Sequence, residues 1–147
     1  MSEITAILLI AHGSRHEPAN QDLRRMAGSV AELGLYSIVE PAFLELTVPE
    51  IPEAGGTCVS RGATRVLMIP YFLSAGVHLV RDLTAARDTL NERFPAVEFL
   101  LGSPLGPHPL LEALVLERVK ELETAGPKPD LGSATEMAQR FTPLGDH

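Results

Sequence analysis

Apolar residues crowd into four short runs, at 5–11, 36–43, 65–72 and 97–102. Each has strand length, so each predicts a strand. The first and third, Ala6-Ile7-Leu8-Leu9-Ile10-Ala11 and Val66-Leu67-Met68-Ile69-Pro70-Tyr71-Phe72, do not alternate with polar residues. Unbroken runs suit strands covered on both faces, as in a parallel sheet.

Between the runs the apolar period changes to that of a helix. Leu23, Met26, Ala27, Val30 and Leu33 form one stripe, with Gly34 where a helix would stop. Leu79, Leu83, Ala86 and Leu90 form a second, with Pro95 beyond its end. Residues 109–123 carry a third through Leu111, Leu114, Val115, Val119 and Leu122. Topology asks for a further helix between 48 and 61. Pro49, Pro52 and Gly55-Gly56 oppose it, so a short or broken one is expected. Strands alternating with helices predict an α/β domain: an open, mostly parallel four-stranded sheet with flanking helices, doubly wound. The pattern fails after residue 124. Residues 1–124 are therefore expected as the domain and 125–147 as a flexible tail, with a short helix near 136–140 weakly supported.

Composition narrows the classes. The 147 residues suffice for one packed core, and 45% of them are hydrophobic. No apolar run approaches the roughly 20 residues that span a bilayer, so no membrane partner is expected. The start, Met1-Ser2-Glu3, lacks the basic segment of a secretory leader. Cys58 is the only cysteine, which excludes an intramolecular disulfide and a cysteine-based zinc site within one chain. A cytoplasmic protein fits these features. The net charge of -7 argues against a nucleic-acid partner, though gathered arginines can still hold a small polyanion.

In an open α/β sheet, ligands bind beyond the carboxyl ends of the strands. The residues that follow the four strands here are His12-Gly13-Ser14-Arg15, then Glu45, then Ser74, Gly76 and His78, then Ser103 and His108. Two histidines, a carboxylate and an arginine are thus expected on one rim. Taken singly, each has a plainer reading. His12 can hydrogen-bond within its turn, His78 can sit solvated on a helix, Glu45 can pair with an arginine, and Ser14 can be a turn residue. Their joint placement favours function. Paired imidazoles suit cobalt, nickel, iron or zinc. No phosphate-binding Gly-x-x-x-x-Gly-Lys loop exists, and no Gly-x-Gly-x-x-Gly follows the first strand. Ser14 lacks the Gly-x-Ser-x-Gly elbow of a hydrolase. The Arg-His-Gly of histidine phosphatases is echoed only by His12-Gly13, with no arginine before the histidine.

These residues resemble a known family. Ala11-His12-Gly13-Ser14-Arg15 with Ala19-Asn20 is similar to the opening of the short sirohydrochlorin chelatases, of cobaltochelatase and ferrochelatase type. Ala42-Phe43-Leu44-Glu45, Ser74-Ala75-Gly76-Val77-His78 with Arg81-Asp82-Leu83, and Leu105-Gly106-Pro107-His108 resemble three later motifs, in order. The resemblance implies ATP-independent insertion of a divalent metal (cobalt, iron or nickel) into sirohydrochlorin. The metal would be a substrate, with no tightly bound cofactor. It implies His12 and His78 as metal ligands or proton acceptors and Glu45 as a second base or metal contact. Ser14, Arg15, Ser74, Gly76 and Arg81 would bind the carboxylate-rich macrocycle, with Arg24 or Arg25 as further cations and Leu73 and Val77 as apolar contacts. It also implies a homodimer. The competing reading is a non-catalytic metal- or tetrapyrrole-binding module with the same fold.

Overall fold

The computed structural model describes residues 2–125. In chain order its elements are β1 (Thr5–Ala11), α1 (Glu17–Glu32), β2 (Ile38–Phe43), α2 (Ile51–Ser60), β3 (Arg65–Pro70), α3 (Val77–Arg93), β4 (Glu98–Leu101) and α4 (Pro109–Thr124). The expected tail and the short helix near 136–140 lie outside the described residues, apart from Ala125, which caps α4. Residues through Pro107 form one compact unit, and a second begins at His108 and contains α4. Among the described residues, no helix is long and apolar enough to cross a membrane.

The sheet has the order β2-β1-β3-β4, and every pairing is parallel. The chain leaves β1 for β2 on one side and passes back across β1 to reach β3 on the other. This reversal makes the end of β1 the switch point, where a doubly wound sheet opens a crevice. Two apolar layers cover the sheet. Leu23 and Ala27 of α1 pack with Leu9, Val39 and Phe43 on one face. Ile51, Ala54 and Cys58 of α2, with Leu83 and Leu90 of α3, pack with Leu8, Ile10, Val66, Met68 and Phe99 on the other. Burial on both faces is why β1 carries no polar alternation.

The other three strands are shorter than their apolar runs: β2 begins two residues into its run and still ends at Phe43, β3 ends at Pro70 so that Tyr71 and Phe72 enter the rim loop, and β4 loses one residue at each end. On α1 the predicted stripe is only partly used. Leu23 and Ala27 are buried, whereas Met26 and Leu33 are exposed.

The helix α2, expected short or broken, is the shortest of the four described helices at ten residues, and it is unbroken despite Pro52 and Gly55-Gly56. Its start is secured by a reciprocal cap between Glu50 and Glu53. Pro52 lies in the first turn, where no amide donor is missed. Gly55 is a packing device. A Cβ there would lie 2.7 Å from a methyl of the buried Leu90, so the glycine lets α3 approach.

Candidate functional site

The site grows from the register of β1 and β2. Ala11 pairs with Phe43, so the residues that follow both strands leave the sheet side by side. The backbone pairing continues past the strand ends. Leu44 N–H donates to Ala11 C=O at 3.0 Å, and Glu45 N–H donates to His12 C=O at 3.1 Å. Gly13 makes this approach feasible. It sits at φ +99°, and a Cβ there would lie 1.8 Å from the Glu45 carbonyl oxygen. Across the seam, Leu46 also adopts a left-handed conformation, at φ 70°. For a branched aliphatic residue that is strained backbone, of the kind concentrated at functional sites.

The consequence is an imidazole facing a carboxylate. His12 Nε2 lies 3.5 Å from Glu45 Oε1, and both side chains are more than half exposed. That separation is longer than an ordinary hydrogen bond. It suits two ligands of one ion: donors about 2.1 Å from a tetrahedral metal lie about 3.4 Å apart. Among the described residues no group of three His, Cys, Asp or Glu side chains is arranged to hold a metal. An ion between His12 and Glu45 would keep most of its coordination positions for other donors. That favours transfer over storage.

The remaining candidates follow β1 and β3. Ser14 is held by its backbone: its N–H donates to Asn20 Oδ1 at 2.9 Å, and its C=O accepts from Asn20 Nδ2 at 2.8 Å. Its hydroxyl accepts from His16 N–H at 2.9 Å, so it also serves the turn. Ser74 and Gly76 lie exposed in the loop after β3, with Gly76 as the N-cap of α3. His78 lies in the first turn of α3, and Arg81 one turn further along; both are exposed. Leu73 and Val77 are 71% and 72% exposed beside them, an apolar ledge on a polar rim. The fold thus joins His12 to Glu45 directly, while His78 lies on the loop and helix that follow the neighbouring strand, β3. His108 caps α4, its Nδ1 accepting from Leu110 N–H at 3.0 Å.

The arginines divide sharply. Arg15 and Arg81 have no carboxylate partner among the described residues. Arg24, a candidate grip on the macrocycle by resemblance, is already engaged. It donates to Glu17 at 2.6 Å and to Val48 C=O at 3.1 Å, and its guanidinium lies 5.1 Å from the Phe43 ring centre. Arg25 pairs with Asp22 at 3.3 Å. Two buried groups have shifted acidities. Burial, reinforced by Glu40, pushes the Cys58 thiol up to about 12, which makes it an inert core residue rather than a nucleophile. Burial and then Asp22 raise the Tyr71 phenol.

The sequence reading assigned no role to Asn20, the only buried polar side chain among the described residues, or to the anchoring function of Arg24. The available signal was a polar residue, Asn20, on the buried stripe of α1, three positions before Leu23 and seven before Ala27.

A doubly wound sheet with a histidine-carboxylate pair at its switch point defines a class of rim-site α/β proteins suited to a metal ion. Residues 6–122 match the CbiX family, and the chain belongs to it. A chloroplastic sirohydrochlorin ferrochelatase of Arabidopsis thaliana is 35% identical over 82% of this chain and 53% of its own length. The sirohydrochlorin cobaltochelatase of Methanococcoides burtonii is 32% identical over 83% of this chain and 99% of its own length. The solved structure of the sirohydrochlorin chelatase SirB from Bacillus subtilis subspecies spizizenii, in complex with cobalt, superposes with a TM-score of 0.74. It is 28% identical over 80% of this chain and 50% of that one. The chain therefore spans about half the length of some relatives and nearly all of others.

Proposed function

We propose that this protein inserts a divalent metal, cobalt foremost, into sirohydrochlorin without ATP, as a step toward cobalamin or siroheme. The observation that carries the reading is the His12–Glu45 pair, 3.5 Å apart and open to solvent at the switch point. The named relatives, both cobaltochelatases and ferrochelatases, support the substrate and the reaction. Their names include both cobalt and iron, so the choice of cobalt is our own.

In this reading His12 Nε2 and Glu45 present the ion with two donors. Imidazole and carboxylate together suit cobalt or ferrous iron. The pyrrole nitrogens then displace water from the open positions. Insertion is balanced: the ion replaces two pyrrole N–H protons, which leave as two H⁺. One is taken by the Glu45 carboxylate as the ion moves into the ring, and the second by His78 across the rim or by water. Arg15 and Arg81 hold carboxylates of the macrocycle, each able to offer a planar pair of N–H donors. Leu73 and Val77 pack on the ring face, while Ser14, Ser74 and Gly76 shape the loops around it. Two copies of the chain pair as a homodimer, in line with relatives of about twice the length, and the protein works in the cytoplasm.

The test is the absorbance change of sirohydrochlorin with Co²⁺, Fe²⁺ or Ni²⁺, with and without protein. Acceleration above the spontaneous rate is expected with at least one metal, strongest with cobalt. Tight binding of tetrapyrrole with no acceleration by any metal would replace the enzyme with a binding module.

A further inference from the structure

The His12–Glu45 geometry belongs to two separate loops, and one helix holds both. Asn20 and Arg24 stand four residues apart on α1, which places them on the same face, one turn apart. Asn20 is 2% exposed and uses its amide on both backbone groups of Ser14, two residues after His12. An amide is suited to this task, since it accepts and donates at once. Arg24 reaches the other loop. Its Nη2 donates to Val48 C=O at 3.1 Å and lies 3.5 Å from Thr47 Oγ1, while its guanidinium packs over Phe43, two residues before Glu45. Glu17, in the first turn of the same helix, holds Arg24 from behind at 2.6 Å.

We propose that Asn20 and Arg24 are positioning residues that fix the His12–Glu45 spacing from the rail of α1. This rests on the functional reading above and adds residues that do not touch the metal or the tetrapyrrole. It also separates Arg24 from Arg15: the first is committed to the protein, the second open to the substrate. Outer residues that orient metal ligands typically change metal affinity or activity by about 10–100-fold when removed.

The experiment compares Asn20→Ala, Arg24→Met, the double variant, His12→Ala and the control Ala27→Gly, which weakens the same helix and its apolar packing without removing a polar contact to either loop. Each is measured for Tm, for the Kd of Co²⁺ without tetrapyrrole, and for metal insertion. Asn20→Ala and Arg24→Met should each weaken Co²⁺ binding and lower insertion by about tenfold or more. The double variant should lose less than the product of the two, because both act on one distance. Ala27→Gly should lower Tm and leave Co²⁺ affinity unchanged. Should Asn20→Ala fail to fold, Arg24→Met, nearer the surface, carries the test alone. Normal Co²⁺ binding and insertion in the two variants, with His12→Ala inactive, would overturn the positioning role alone. Losses no larger than those of Ala27→Gly would do the same. Normal insertion by His12→Ala would instead remove the functional reading, and the positioning role with it.

Discussion

Replacing Gly13 with alanine perturbs the site by a single carbon. Two costs follow, and the structure separates them. The first is conformational. Gly13 sits at φ +99°, and a side chain in left-handed backbone costs about 1–2 kcal/mol. For a chain of this size that lowers Tm by roughly 3–8 °C. The second is a collision. The new Cβ would stand 1.8 Å from the Glu45 carbonyl oxygen, and real contacts essentially never fall below 3.0 Å. The loops carrying His12 and Glu45 must therefore part by about 1.2 Å. A misplacement near 1 Å costs on the order of 100-fold in rate where two groups act together. Gly34→Ala provides the comparison. Its φ is +75°, but a Cβ there meets nothing within 4 Å. Both variants are melted by circular dichroism and assayed for metal insertion. Gly34→Ala should lose stability and keep its activity; Gly13→Ala should lose both. Equal activity in the two variants would refute the claim that contact between the loops sets the His12–Glu45 geometry.

Further outcomes follow from the same structure. Arg15→Ala and Arg81→Ala should raise KM for sirohydrochlorin about tenfold or more with a smaller change in kcat, as loss of a charge-assisted grip requires; a steady-state titration of the tetrapyrrole reads this. Cys58 should resist thiol reagents at pH 8 until urea unfolds the protein. Its folded acidity lies near 12 against an ordinary 9.0, so the folded state holds the thiol proton that the unfolded state gives up. Stability from this group is complete below pH 9 and declines toward pH 12, by about 1.4 kcal/mol per pH unit. Urea midpoints of wild type and Cys58→Ala, compared from pH 8 to 10.5, isolate the effect from that of Tyr71. Finally, Gly28→Ala should raise Tm, since a Cβ there meets nothing within 4 Å and alanine favours a helix. Gly55→Ala should lower Tm, because its Cβ meets Leu90 at 2.7 Å inside a packed core.

Much of this architecture could be read from local pattern. The bounds of β1 match its apolar run residue for residue, because burial on both faces leaves no polar position to blur the edge. α2 shows where local reading stops. Gly55 and Pro52 look like helix breakers until the partner is known: Leu90, 35 positions later, fills the space a Cβ would take. The site divides in the same way. Placing His12 and Glu45 beyond strand ends needed only the strand pattern. Their separation depends on the β1–β2 register and on Gly13, which no spacing along the chain discloses. Arg24 illustrates the limit for charges. Its type suited a carboxylate-rich substrate as well as that of Arg15, and only its contacts with Glu17, Val48 and Phe43 show that it is engaged.

The most direct measurement is the initial rate of cobalt insertion into sirohydrochlorin, followed by absorbance, for wild type, His12→Ala and Glu45→Gln at matched Tm. The His12–Glu45 account predicts a wild-type rate well above the spontaneous one. It predicts that both variants fall to or near the spontaneous rate while remaining folded. Wild-type rates in His12→Ala and Glu45→Gln would contradict it.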